Sequence, residues 1–162
     1  MSTDDRLWLS RSWTTRRRRE GEAEDAYVFV DRAEFEAARD RGQFLEWAEV
    51  FGHLYGTPVP SPPPGRDLLL EIDVQGAAQV KHRCPEAVVI LVAPPSRRHQ
   101  EERLRRRGDG QSDILRRMAK ADEEELAARG LADHVVVNDD LGLAIADVAG
   151  IVSAHRGSDC PA

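Results

Sequence analysis

Short apolar runs rich in β-branched residues alternate along this chain with longer stretches of helical period. The pattern predicts an α/β domain on a mainly parallel sheet. Residues 7–10, 27–30, 68–72, 88–93 and 134–137 read as strands. Asp31 with Glu34 forms a capping-box signal for a helix running through residue 41, which Gly42 ends. Ser96 and Ser112 predict the N-caps of two further helices reaching about residues 107 and 129, and residues 141–152 form a last amphipathic helix. Two stretches break the pattern. Residues 58–65 hold five prolines and a terminal glycine and can only be a stiff connector, because proline lacks the amide donor and clashes with the preceding turn. Beyond Val152 the apolar period is lost, which predicts a frayed tail over residues 153–162.

Length and charge narrow the picture. At 162 residues the chain suits one domain with a real core. Its longest apolar run, from Ala87 to Ala93, falls far short of the ~20 residues that span a bilayer, so no membrane segment is expected. The 23 basic and 29 acidic side chains leave a net charge of −6, against a surface built throughout to hold nucleic acid. Basic chemistry must therefore be local. The acidic start, Met1-Ser2-Thr3-Asp4-Asp5, resembles neither a signal nor a transit peptide, and the expectation is a cytoplasmic protein. Cys84 and Cys160 lie in no Cys-x-x-Cys and read as reduced thiols. The five histidines show no metal-binding spacing, so no metal site is expected, and Trp8, Trp13 and Trp47 suit packing better than base stacking.

Ser10-Arg11-Ser12-Trp13-Thr14-Thr15-Arg16-Arg17-Arg18-Arg19 sets hydroxyls and then four guanidiniums directly after a strand. Arginine forks suit phosphate oxygens. Charge alone leaves a solvated loop or a nonspecific nucleic-acid patch equally open.

Spacing elsewhere decides between them. Phe44-Leu45-Glu46-Trp47-Ala48-Glu49-Val50, Gly52-His53-Leu54-Tyr55-Gly56-Thr57 and Leu70-Glu71-Ile72-Asp73-Val74-Gln75-Gly76, taken with Ser12, Arg16, Arg19 and Tyr27, resemble the GMP-binding half of guanylate kinases. Pro94-Pro95-Ser96, Arg103-Leu104-Arg105-Arg106-Arg107-Gly108, Arg116-Arg117-Met118 and Val135-Val136-Val137-Asn138-Asp139-Asp140-Leu141 resemble that family's lid and adenine-side loop. The likeness runs in unbroken order from about Leu7 to Val152.

The resemblance implies a P-loop-kinase-like parallel sheet with helices. It implies one guanylate-kinase-like domain over residues 1–152: a GMP-binding part at about 12–66, core at 67–95, lid at 96–117 and core again at 118–152. It further implies that Glu46 and Asp73 accept from the guanine N1–H and N2–H, that Ser12 and Thr57 meet O6, and that Arg16, Arg19, Tyr27 and Tyr55 hold the GMP phosphate. A wrong base would leave such buried groups unpaired. Arg103, Arg107 and Arg117 match lid arginines that close over the transferring phosphoryl group, and Asn138 matches a residue beside the adenine. Arg97, Arg98, Arg105 and Arg106 read instead as an exposed basic helix, and Asp139 and Asp140 as caps of the last helix.

The family reaction, ATP with GMP giving ADP and GDP on Mg²⁺, uses a Gly-x-x-x-x-Gly-Lys-Ser/Thr loop. None occurs in these 162 residues: the two lysines follow Val80 and Ala119. The expected fold is thus the guanylate kinase fold lacking its first strand, phosphate loop and first helix, which places ATP and Mg²⁺ in question here. Segments between Glu22 and Tyr27, Thr57 and Gly65, and Gly108 and Arg117 are also shorter than the family pattern. The missing strand would lie between the strands at 68–72 and 88–93. Their edges must close up, be filled by residues 7–10, by an upstream segment or by a partner chain completing the sheet, since dry unpaired amides are costly. Two functions remain in play: a GMP-binding protein with phosphoryl transfer impaired or absent, and a non-catalytic interaction module that receives a phosphorylated partner in the old GMP site. Specific nucleic-acid binding is the weakest reading.

Overall fold

The structure, a computed structural model, describes residues 4–106 and 108–156, apart from the side chains at 120, 122 and 123. The chain divides into two compact units, Met1–Pro85 and Glu86–Ala162.

In the first unit β1 (Leu7–Leu9) runs parallel to β6 (Asp67–Leu69), Trp8 lying opposite Leu68. A separate four-stranded sheet has the order β3-β2-β5-β4. It comprises β2 (Trp13–Thr14), β3 (Val28–Phe29), β4 (Phe44–Val50) and β5 (His53–Pro58). The sequence pattern does not predict β4 and β5 as strands. They form a hairpin in which Val50 faces His53 across Phe51 and Gly52, with φ of 52° and 82°. Positive φ at both turn positions matches the right-handed twist of the strands, though a phenylalanine adopts it under strain.

Burial alternates along β4, so Phe44, Glu46 and Ala48 share the inward row. The core forms around that row. Phe35 and Ala38 of α1 (Arg32–Asp40) pack with Phe44 and Leu54, the Phe35 and Phe44 rings stacking 4.5 Å apart and Trp13 meeting Phe44 edge-on at 5.5 Å. Gly56 lets them close up, because a Cβ there would sit 2.9 Å from Phe35 Cζ and 3.0 Å from Phe44 Cδ1. α1 starts where expected, Asp31 Oδ1 accepting the Glu34 N–H at 2.8 Å, and ends at Gly42 with φ 70°.

The helix α2 (Val74–Arg83), also absent from the sequence prediction, is capped by Asp73. Gln79 on α2 donates to Trp47 O at 2.7 Å and accepts from Trp47 N–H at 3.3 Å, covering part of the outer edge of β4. Residues 59–66 are irregular, as the prolines require, whereas Pro58, expected to open the connector, is the last residue of β5. Cys84, at the C-cap of α2, is disulfide-bonded and not the reduced thiol expected, since a cysteine outside any Cys-x-x-Cys can still be paired by the fold. Cys160 lies outside the described residues.

In the second unit β7 (Ile90–Ala93) and β8 (His134–Val137) pair in parallel, Ala93 opposite Val137. Asp133 accepts the Val89 N–H at 2.8 Å just ahead of the ladder. Helix α3 (Arg97–Arg106) follows Ser96, whose Oγ accepts from His99 N–H at 3.4 Å. Helix α4 (Gln111–Leu131) begins ahead of Ser112: Gly110 is its N-cap and no side chain caps it, so the serine falls inside the first turn. Asp140 caps α5 (Leu141–Ala154), which outruns the expected end at residue 152. The remainder of the expected tail, residues 157–162, lies outside the described residues.

Candidate functional site

The chain leaves β1 through Ser10 into the hydroxyl and arginine segment, and three hydroxyls anchor it. Thr15 Oγ1 accepts the Leu54 N–H at 2.9 Å, the fully buried Thr14 Oγ1 accepts the Arg16 N–H at 3.2 Å, and Ser12 Oγ shares a 3.2 Å hydrogen bond with Thr57 Oγ1. These contacts draw the polar segment down onto β5.

Arg16 is the second buried pole of the site, only 8% exposed. Its Nη1 and Nη2 donate to Glu22 Oε2 and Oε1 at 2.9 and 2.6 Å, and Nη1 also donates to Arg17 O at 2.8 Å. The guanidinium lies 5.4 Å from the Tyr27 ring centroid and 5.6 Å from that of Phe29, within cation–π range. Glu22 Oε2 accepts the Arg19 N–H as well, at 2.9 Å. The Arg16 hydrogen bonds, reinforced by that N–H, hold the Glu22 carboxyl down at about 2. Arg16 is raised, by Glu22 first and by Tyr55 in addition. The Tyr27 and Tyr55 rings meet edge-on at 6.1 Å, and burial raises the Tyr27 phenol.

Glu46 is the first pole. It is 4% exposed, and its Oε1 accepts the N–H of the fully buried Thr57 at 2.9 Å. Burial pushes its carboxyl up from the ordinary range; the Thr57 donors oppose this and the charge of Asp73 adds to it. Its other oxygen lies against the first turn of α2, where Gly76 has no Cβ to obstruct it. Asp73 caps that turn, Oδ1 accepting the Gly76 N–H at 2.8 Å. Ser12, Arg16, Arg19, Tyr27, Glu46, Tyr55, Thr57 and Asp73 thus all belong to the first unit. Ser12 joins Thr57, Thr57 joins Glu46, and Arg16 joins Tyr27 and Tyr55.

The second unit carries the remaining candidates. Arg103 Nη2 donates to the main-chain oxygen of Asn138 at 2.6 Å, and Arg117 Nε lies 3.8 Å from Asp109 Oδ2. Arg107 lies outside the described residues. Arg98 pairs with Glu102 and Arg105 with Glu101 one helical turn away, the arrangement of a solvated helix face. Among the described residues no three His, Cys, Asp or Glu side chains gather so as to hold a metal ion. No described helix is long and apolar enough to cross a membrane.

Sequence reasoning missed Glu22 and Gly76. For Gly76 the signal was present, as Asp73 stands three residues ahead of it at N-cap spacing. For Glu22 there was none, since a glutamate after an arginine run reads as solvent.

Comparison with known proteins places this geometry among relatives. The family model described as Guanylate kinase matches residues 2–155. The chain is 48% identical over 159 residues to a guanylate kinase of Chromobacterium violaceum, covering 94% of this chain and 75% of that one. It is 44% identical to one of Aromatoleum aromaticum, covering 96% and 79%. The crystal structure of guanylate kinase from Anaplasma phagocytophilum superimposes with a TM-score of 0.76 at 34% identity, over 94% of this chain and 78% of that one.

Proposed function

The chain belongs to the guanylate kinase family, and from that premise we propose that its first unit binds GMP, guanine at Glu46 and phosphate at Arg16. One observation carries the reading: a single small sheet and its loops bring together a buried carboxylate held by Thr57 and a buried guanidinium flanked by Tyr27. Guanine offers two donors, N1–H and N2–H, beside the acceptor O6. Glu46, with Asp73, accepts from the donors, and the Ser12–Thr57 hydroxyl pair meets O6. Adenine reverses that pattern and would leave Glu46 buried without a donor. Arg16, Arg19, Tyr27 and Tyr55 take the phosphate.

Phosphoryl transfer is a separate matter. ATP and Mg²⁺ would need an amide cradle, a lysine and a hydroxyl ligand, and the residues present do not fit them: no Gly-Lys pair exists in the chain, while Arg103 is engaged by the Asn138 carbonyl. Arg103, Arg107 and Arg117 keep the role of lid arginines in this reading, and Asn138 that of the adenine neighbour. The 162-residue chain is accordingly a GMP-binding protein with transfer impaired or absent. A rival reading, an interaction module for a phosphorylated partner, is favoured by the phosphate-side residues surviving without an ATP loop. It leaves the buried Glu46 without a use.

Calorimetry decides between the two. GMP and guanosine bind and AMP does not. Equal affinity for GMP and AMP, or none for either, refutes the guanine pocket. A coupled assay is expected to show no GMP-dependent ADP formation, and turnover abolished by Glu46→Ala would overturn the impaired-transfer reading.

A further inference from the structure

β4 is an end strand of the four-stranded sheet, so its outer edge has no strand beside it. Side chains of α2 stand in for one. The Gln79 amide donates to Trp47 O at 2.7 Å and accepts the Trp47 N–H at 3.3 Å, the two-way exchange that a residue of a neighbouring antiparallel strand would make. Arg83 Nη1 donates to Leu45 O, two residues back along the same edge. Gly76, Gln79 and Arg83 fall at i, i+3 and i+7 and share one face of the helix.

The two ties fit a single register. Four helical residues advance about 6 Å and two strand residues about 7 Å, so Gln79 and Arg83 reach Trp47 and Leu45 together with α2 running antiparallel to β4. Sliding the helix by one turn would break both. Trp47 is 37% exposed, and water could meet the edge groups about as well. What the side chains add is a fixed position for the helix.

That position bears on the carboxylates. Glu46 lies between the two tied residues on the inward row, its Oε2 against Gly76 in the first turn of α2, and Asp73 caps the same turn. Each spends one oxygen on a main-chain donor: Glu46 Oε1 takes the Thr57 N–H at 2.9 Å and Asp73 Oδ1 the Gly76 N–H at 2.8 Å. Glu46 Oε2 and Asp73 Oδ2, one on a strand and one on a helix cap, are left to meet a ligand. The charge of Asp73 is felt at Glu46, as between neighbours.

We propose that Gln79 and Arg83 are positioning residues for guanine recognition: by tying α2 to the edge of β4 in one register, they set the spacing of Asp73 and Glu46 that reads the two guanine donors together. The inference rests on the GMP reading of this site.

The test compares GMP with IMP, which lacks only the 2-amino group and so one of the two donors. Calorimetry is run on the full chain in the wild type, Gln79→Met, Arg83→Met, Arg83→Lys and the double variant Gln79→Met/Arg83→Met, with urea unfolding alongside. The wild type binds GMP more tightly than IMP. In Gln79→Met, GMP is expected to weaken about fivefold or more and IMP by no more than about twofold, because a base with one ring donor does not need both carboxylates in step. The double variant loses more of the discrimination, and Arg83→Lys, which still offers Leu45 O a donor, keeps more of it than Arg83→Met. Should Gln79→Met fail to fold, the two variants of the exposed Arg83 decide by the same ratio. Equal losses for GMP and IMP, or a GMP-to-IMP ratio that stays at the wild-type value in every variant, overturn the proposal and leave the guanine pocket standing, the ties then serving stability alone. A wild type that binds GMP and IMP equally shows that the 2-amino group is not read and refutes the positioning role. One that binds neither refutes the GMP reading and the proposal with it.

Discussion

Gly76→Ala isolates the support of the guanine-reading carboxylate from the stability of the helix that carries it. Within α2 an alanine is the better helix former by about 0.8–1.0 kcal/mol. If helix propensity were all that mattered, the variant would be more stable than the wild type. A Cβ at residue 76, however, would lie nearer to Glu46 Oε2 than real Cβ atoms come and tightly at 3.0 Å from Glu46 Cδ, while Ile72 Cβ, at 3.4 Å, stays in ordinary contact. The carboxylate must move, and it is 4% exposed with Oε1 engaged by Thr57 N–H at 2.9 Å. If that bond is lost, a buried amide goes unmet at a cost of about 1–3 kcal/mol. The two terms leave a net destabilisation of about 0–2 kcal/mol, similar in size to the ~1.4 kcal/mol of a tenfold loss of guanosine affinity, so stability and affinity must be measured separately. Urea unfolding and guanosine calorimetry on the same protein separate them. A variant that is stabilised by the full helix increment and binds guanosine like the wild type would show that Glu46 swings freely, and the account of a carboxylate fixed between Thr57 and α2 would fail.

Other perturbations reach other parts of the argument. Phe44→Ala removes a ring stacked on Phe35 and met edge-on by Trp13, and should cost about 3–5 kcal/mol in urea unfolding. Phe51→Gly, at φ 52° in the hairpin turn, should stabilise by about 1 kcal/mol, and no gain would mean the ring's packing outweighs the backbone strain. Because Glu22 is held at about 2 in the folded chain against 4.5 ordinarily, its clamp contributes fully above 4.5 and is lost as pH falls towards 2. The stability difference between wild type and Glu22→Gln should shrink over that window and stay level above it. Glu46 shifts the other way: burial raises its carboxyl, so it takes up a proton at higher pH than an ordinary glutamate, whereas guanine donors need the anion. Guanosine affinity should therefore weaken as pH drops through the raised value, and Glu46→Gln should abolish that dependence.

Local signals were legible where one residue type has one structural use. The Asp31 cap and the Gly42 stop bounded α1, the β-branched run bounded β8 to the residue, and Asp140 announced α5. The spacing of Glu46, Tyr55 and Thr57 marks the family in the sequence alone. The hairpin that carries those three residues did not show in the pattern, because its inward row holds a glutamate between Phe44 and Ala48, and a buried carboxylate breaks the apolar alternation that marks a strand. Only the fold supplies the Thr57 N–H that makes the burial tolerable, from a strand eleven residues away. Asp73 stood at N-cap spacing from Gly76, but the helix it caps did not show in the apolar pattern, so the signal had no element to attach to. Ser112 had the composition of a cap and lacks the place of one, because the helix starts before it. Glu22 carried no local signal at all. Its role comes from a turn at Gly21 that sets a carboxylate against a guanidinium six residues back, and from two aromatic rings that hold the guanidinium there, a meeting that tertiary structure alone decides.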